Sequence, residues 1–209
     1  AWQDRVFTSR KKENPPGTLA AFQSAAHAAK ITAAEKFAYP ELFVAEGGHA
    51  VDKNGAVAGI TPETLERAKK NNWATGLDGV TTPGQLSDDQ RVAIMRGYMG
   101  EELKRAGGAK ALGDIGDPHM AAAVADTLWR KGGGEGARAI QNAINGAIHG
   151  GRGGADGKIG PEGLGELQQI ARDPATRNEF LDKLAKEREE INSDDEINRI
   201  EHFTFRNER

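Results

Sequence analysis

The chain has 209 residues and no cysteine. Disulfides, thiolate nucleophiles and cysteine-ligated zinc are therefore excluded, and the fold has to rest on packing. No run approaches the roughly 18 apolar residues that a membrane span needs, so membrane insertion is not expected. Neither sign of charge dominates: 28 Lys and Arg face 31 Asp and Glu, a formal net charge of -3. That balance gives no electrostatic reason to expect nucleic acid as a partner. The opening "AWQDRVFTSRKKENPPG" lacks a continuous apolar stretch and does not read as a Sec signal peptide. Extended β-rich segments are also missing. With 37% hydrophobic and 28% charged residues, the composition suits a globular chain with a modest core.

What is present is a series of helix signals separated by glycine, of which there are 27. Residues 1–17 read as an arm, charged and then broken by Pro15-Pro16-Gly17. Thr18 to about Ala38 is Ala-rich and favours helix. Pro40 predicts a break there, with a short new helix carrying Leu42, Phe43 and Glu46. "TPETLERAKK" places Thr61 at an N-cap and Pro62 in the first turn. "SDDQRVAIMRGYMGEELKRAGG" opens with a capping box, Ser87 and Gln90. "GDPHMAAAVADTLWRKGGG" has Asp117 as cap and a stripe of Met120, Val124 and Leu128; the next segment repeats it with Ile140, Ile144 and Ile148. Pro161 and Asp173-Pro174 start two more helices, and Ser193 with Glu196 forms a last capping box. The pattern predicts a mainly α protein of about eight helices, with one small hairpin in Ala50–Ile60 around Asn54-Gly55.

The stretch "FVAEGGHAVDKNGAVAGIT", residues 43–61, carries the chemistry. Glu46 ends an apolar segment and is followed at once by Gly47 and Gly48. A carboxyl partly removed from water keeps its proton more readily. Such an acid can protonate the leaving oxygen of a glycosidic bond. Two glycines permit a sharp change of chain direction and close approach of a bulky substrate. The bland alternative is a solvated carboxylate at a helix end.

Glu46-Gly47-Gly48, a short Gly-punctuated run, Gly59-Ile60-Thr61 and the helix that follows resemble glycoside hydrolase family 108, the N-acetylmuramidases of phages and bacteria. Later, Ile140-Gln141, Asp156-Gly157, Ile159-Gly160-Pro161 and Leu164 are similar to the peptidoglycan-binding-type helical portion of that family. The likeness covers roughly residues 37 to 209, with "FRNER" a faint echo of the family's closing motif. It implies a lysozyme-like helical bundle with a small β-hairpin after the catalytic-glutamate helix. It implies cleavage of the β-1,4 bond between N-acetylmuramic acid and N-acetylglucosamine, with Glu46 as general acid. No metal or cofactor is implied, and the expected partner is the peptidoglycan glycan strand. Three portions follow: 1–35 as arm and extra helix, 36–132 as muramidase-like core, and 133–209 as a peptidoglycan-binding-like portion packed on it.

The chain departs from the family in two places. Its hairpin "VDKNGAVAGIT" is shorter and has Val57 or Ala58 where the family has a threonine; in the related phage-type lysozymes an aspartate and a threonine of this hairpin help to hold the attacking water. Asp52 is the only carboxylate in the turn and is the candidate general base or electrostatic partner; its other reading is a plain turn residue. The family's Tyr-Trp pair reads Tyr98-Met99, which makes Tyr98 a candidate cleft residue. Gly47, Gly48 and His49 complete the expected substrate-binding set. Trp73 and Trp129 carry the same ambiguity between cleft and core, with core favoured for Trp129. The five histidines, at 27, 49, 119, 149 and 202, show no zinc-ligand spacing. "DKNG" and "ADGKIG" lack the ligands of a calcium loop.

The expected activity is that of a phage- or virion-associated lysozyme acting in the bacterial periplasm or cell wall, delivered by a holin, a virion or another non-Sec route. The N-terminal arm reads as an attachment segment for a virion or secretion device. The competing readings are a wall-binding module without catalysis, favoured by the altered hairpin, and a lytic transglycosylase, which needs an acid but no water-activating base.

Overall fold

The computed structural model describes residues 17–189. Within them nine α-helices follow one another: α1 Gly17–Ala28, α2 Ala33–Ala45, α3 Pro62–Lys70, α4 Asp88–Glu102, α5 Ala111–Asp114, α6 Pro118–Lys131, α7 Gly133–Ile148, α8 Pro161–Arg172 and α9 Pro174–Glu189. Short 3₁₀ turns lie at Pro83–Gln85 and Lys104–Ala106. The architecture is mainly α, and no strand occurs among the described residues. None of the described helices is long and apolar enough to cross a membrane. The arm to residue 16, the capping box at Ser193 and Glu196, and the closing "FRNER" lie outside the described residues.

The core is organised on α6. From Met120 to Trp129 every residue is buried, so the helix is enclosed on all sides and not just along a stripe. Alanines at 121, 122, 123 and 125 let its neighbours approach closely. α2 and α7 pack against it, and α9 packs on α7 and α8. α1 covers α2 through a stack of Phe22 on Phe43, with ring centroids 4.1 Å apart. One hydrophobic cluster runs from Phe22 to Leu184. It is continuous across residues 35 and 132, the two boundaries expected from the sequence.

Most caps form as the sequence predicts. Thr61, Ser87 and Asp117 accept from the backbone N–H groups of the first turns of α3, α4 and α6. The expectation at Pro40 is corrected. Pro40 lies inside α2, which runs from Ala33 to Ala45 without a break. The helix starts upstream at a capping box of Thr32 and Glu35, so the Thr18–Ala38 stretch is divided between two helices. Glu35 N–H donates to Thr32 Oγ1 at 3.2 Å, and Thr32 N–H donates to Glu35 Oε2 at 2.7 Å. The missing N–H of Pro40 is tolerated because its surroundings are packed; Ala38, Tyr39, Pro40 and Leu42 are all buried. Glu35 is itself fully buried, and its Oε1 accepts from Tyr39 Oη at 3.0 Å and Arg96 Nε at 3.1 Å. Burial and the neighbouring Glu35 charge push the Tyr39 hydroxyl well above its ordinary range.

The Asp156-Gly157 motif is held by α7. Gln141 Nε2 donates to Asp156 Oδ1 at 2.9 Å, and Gly157 N–H donates to Gln141 Oε1 at 2.9 Å. The Gln141 bond, with a second from Lys158 N–H, holds the Asp156 carboxyl below the usual carboxylate range. A depressed folded-state pKa means that the contribution is present above the unfolded value and is lost as pH falls through the folded one. Gln141→Met is expected to return the Asp156 midpoint toward an ordinary aspartate value in an NMR titration. An unchanged midpoint would show that Gln141 does not hold the loop.

Candidate active site

Glu46 is the C-cap of α2, and the turn after it explains both glycines. Gly47 N–H donates to Val44 O at 3.0 Å, and Gly48 N–H donates to Phe43 O at 2.8 Å. This is a Schellman closure, with Gly47 in the left-handed region at φ +87°. A Cβ on Gly47 would meet nothing within 4 Å. The residue is required by backbone angle and not by space. Gly47→Ala is expected to cost about 1–2 kcal/mol, the penalty for an L side chain in this region. Urea denaturation measures it, and a change within error would mean that the turn relaxes freely.

The segment after Glu46 closes through two tight turns and not through paired strands. Gly55 N–H donates to Asp52 O, and Asp52 Oδ1 accepts from Asn54 N–H at 2.7 Å and Ala56 N–H at 2.9 Å. Val57 and Ile60 exchange both backbone bonds around Ala58 and Gly59, whose φ values are +53° and +72°. That is a tight two-residue turn with both central residues in the left-handed region. Two isolated antiparallel bridges, Val51 with Val57 and Val57 with Ile60, are all the pairing present in this segment.

This second turn brings Gly59 against the acid. A Cβ on Gly59 would lie 2.9 Å from Glu46 Cγ and 2.3 Å from Trp129 Nε1. Glu46, half-buried, and the indole edge of Trp129 therefore meet over a bare Cα. Behind Trp129 stands Tyr98, edge-on at 4.8 Å between ring centroids, then Trp73 at 6.3 Å from Tyr98. The Arg67 guanidinium lies over both outer rings, 5.5 Å from Trp73 and 5.3 Å from Tyr98. Its Nη2 also donates to Glu101 at 2.6 Å, and this bond raises the Arg67 pKa. A row of aromatic rings thus leads from the carboxyl toward an exposed ion pair.

No family model matches this chain. Neither a curated protein nor a solved structure matches it significantly.

The expected site residues divide into two groups. Glu46, Gly47 and Gly48 sit together at the end of α2, and Tyr98 joins them through Trp129. Tyr98 is buried, its hydroxyl donating to Leu128 O at 3.3 Å. His49 turns to a different partner: its Nε2 is 2.7 Å from Asp88 Oδ1 at the start of α4, and its ring meets Phe43 edge-on. Arg91 donates to the same Asp88 oxygen at 2.9 Å. Asp52 is exposed, with Oδ1 occupied by its own turn. Trp129 is core, as favoured from the sequence, yet its polar edge lies at the site. Arg67 was not anticipated, because a cation placed over two rings from different elements leaves no local sequence signal.

Two surface depressions lie elsewhere. One of about 430 Å³ is lined by residues including Asn72, Thr75 and Asp78. The other, of about 220 Å³, is lined by Asp114, Gln168 and Arg172 among others. Glu46 and Asp52 line neither. Among the described residues no group of three His, Asp or Glu side chains could hold a metal.

Proposed function

We propose that the chain is a peptidoglycan hydrolase, an N-acetylmuramidase of lysozyme-like fold acting on the bacterial cell wall, with Glu46 as the general acid. The observation that carries this reading is the meeting of the Glu46 carboxyl, the Gly59 Cα and the Trp129 indole at one end of an aromatic row. A glycosidic oxygen beside Glu46 would receive its proton as the bond to the sugar breaks. Trp73, the half-buried ring of the row, offers an apolar surface of the kind that suits sugar rings, while Tyr98 and Trp129 are largely buried beside the half-buried acid. The two glycine motifs match the family in order, and both have a backbone reason to be glycine.

A second reading, a lytic transglycosylase, is favoured by Asp52. That carboxylate spends one oxygen on its own turn and faces solvent, which weakens it as a water-activating base and leaves Glu46 as the candidate acid. A wall-binding module without catalysis is the third. Digestion of purified sacculi followed by mass spectrometry separates them. New reducing N-acetylmuramic acid ends support hydrolysis, and anhydro-muramic ends support transglycosylation. Binding to sacculi without any new ends would overturn both enzyme readings.

A further inference from the structure

Trp129 is 9% exposed, yet its single polar atom is not used among the described residues. The indole nitrogen is a donor only. It makes no hydrogen bond among the described residues, and it is not among the side-chain atoms sealed from solvent without a partner. It lies against Gly59, where an added Cβ would come within 2.3 Å of it, and the Glu46 side chain lies against the same position. The donor therefore opens beside the candidate acid.

Its position is fixed in advance. The buried run of α6 fixes the Trp129 backbone, and Tyr98 braces the ring edge-on at 67°. Tyr98 is anchored in turn by its bond to Leu128 O on α6. A donor held this way loses little freedom on binding. The adjoining Glu46 carboxyl repels an anion whenever it is ionised, so a neutral acceptor is the one that suits both of its protonation states. An amide carbonyl is a strong neutral acceptor.

We propose that Trp129 is a substrate-binding residue. Its indole N–H donates to the acetamido carbonyl of an N-acetylated amino sugar next to the bond addressed by Glu46. The inference rests on the reading of this site as a glycan site and names the group that the site recognises. It predicts that loss of the acetyl group, and not loss of a peptide stem, weakens binding here.

The test uses the full chain carrying Glu46→Gln, with ¹⁵N-labelled tryptophan. The probe is a soluble tetrasaccharide of alternating N-acetylglucosamine and N-acetylmuramic acid, compared with its de-N-acetylated form. Trp129→Phe identifies the Trp129 indole cross-peak by its loss. The acetylated fragment is expected to move that peak downfield, and the de-N-acetylated fragment to leave it in place. Trp129→Phe, which keeps a ring and removes the donor, is expected to weaken binding about 3- to 10-fold, the range for one neutral hydrogen bond. Binding with an unmoved indole, equal shifts with both fragments, or no binding at all would overturn the proposal. A shifted indole in a protein whose wild type releases no new ends would sink the enzyme readings and leave this one standing. Hydrolysis with an unmoved indole would do the reverse.

Discussion

Glu46→Gln is expected to lower the release of new ends from sacculi by about 10²- to 10⁴-fold, the usual contribution of a positioned general acid. The substitution keeps the size and shape of the side chain and removes the transferable proton. It should leave the fold intact, because the cap of α2 is made by backbone atoms: Glu46 N–H donates to Leu42 O at 2.9 Å, and Gly47 and Gly48 complete the turn. A melting temperature close to wild type, together with lost activity, would assign the effect to chemistry. Activity within a few-fold of wild type would remove Glu46 from the mechanism. Glu46→Asp adds a geometric control, since it keeps the acid and withdraws it by one methylene from the Gly59–Trp129 contact. It is expected to retain little activity, because proton donation depends on reach.

The largest stability effect is expected far from that site. Asp126 on α6 and Arg188 on α9 are 0% and 2% exposed, and Arg188 Nη2 donates to Asp126 Oδ2 at 2.5 Å. Thr127 supports the pair: Arg188 Nη1 lies 3.4 Å from its Oγ1, which donates to Ala123 O at 2.8 Å. Removing one member leaves a charge buried without its counter-ion. Asp126→Ala is expected to cost about 3–5 kcal/mol in urea denaturation. Replacing both, as Asp126→Leu with Arg188→Met, should recover most of that loss, because the desolvation penalty of both ions disappears together. If the double variant were as unstable as the single one, the pair would be contributing more than charge compensation. The helix it fixes, α9, packs on α7 and α8, so the pair ties the end of the described chain to the central helix.

Local signals were legible where a short stretch of chain satisfies its own groups. Thr61, Ser87 with Gln90, and Asp117 cap their helices because the acceptor and the N–H groups lie within three residues of one another. The start of α2 obeys the same logic at Thr32 and Glu35, but it lies inside the Thr18–Ala38 stretch expected to be helical, where Ala-rich composition masks the cap. Proline weakens a helix, and at Pro40 the packing of Tyr39, Leu42 and Phe43 outweighs that weakness. Glu46 was legible as a candidate through the glycines beside it. Gly47 and Gly48 now have a structural reason in the Schellman turn, which a sequence motif cannot separate from a substrate-facing one.

The sequence by itself determined the helical class, most of the caps and the position of one carboxyl at a helix end. Each follows from contacts between residues close along the chain. Only the tertiary structure decided what surrounds that carboxyl. Trp129 reaches Glu46 from a helix more than seventy residues away, over a Cα that only glycine could leave bare. Arg67 covers Trp73 and Tyr98 from another element, and His49 turns aside to Asp88. These arrangements depend on how closely the helices approach one another around α6, and that distance is set by the packed volume of the whole core, which no local pattern encodes.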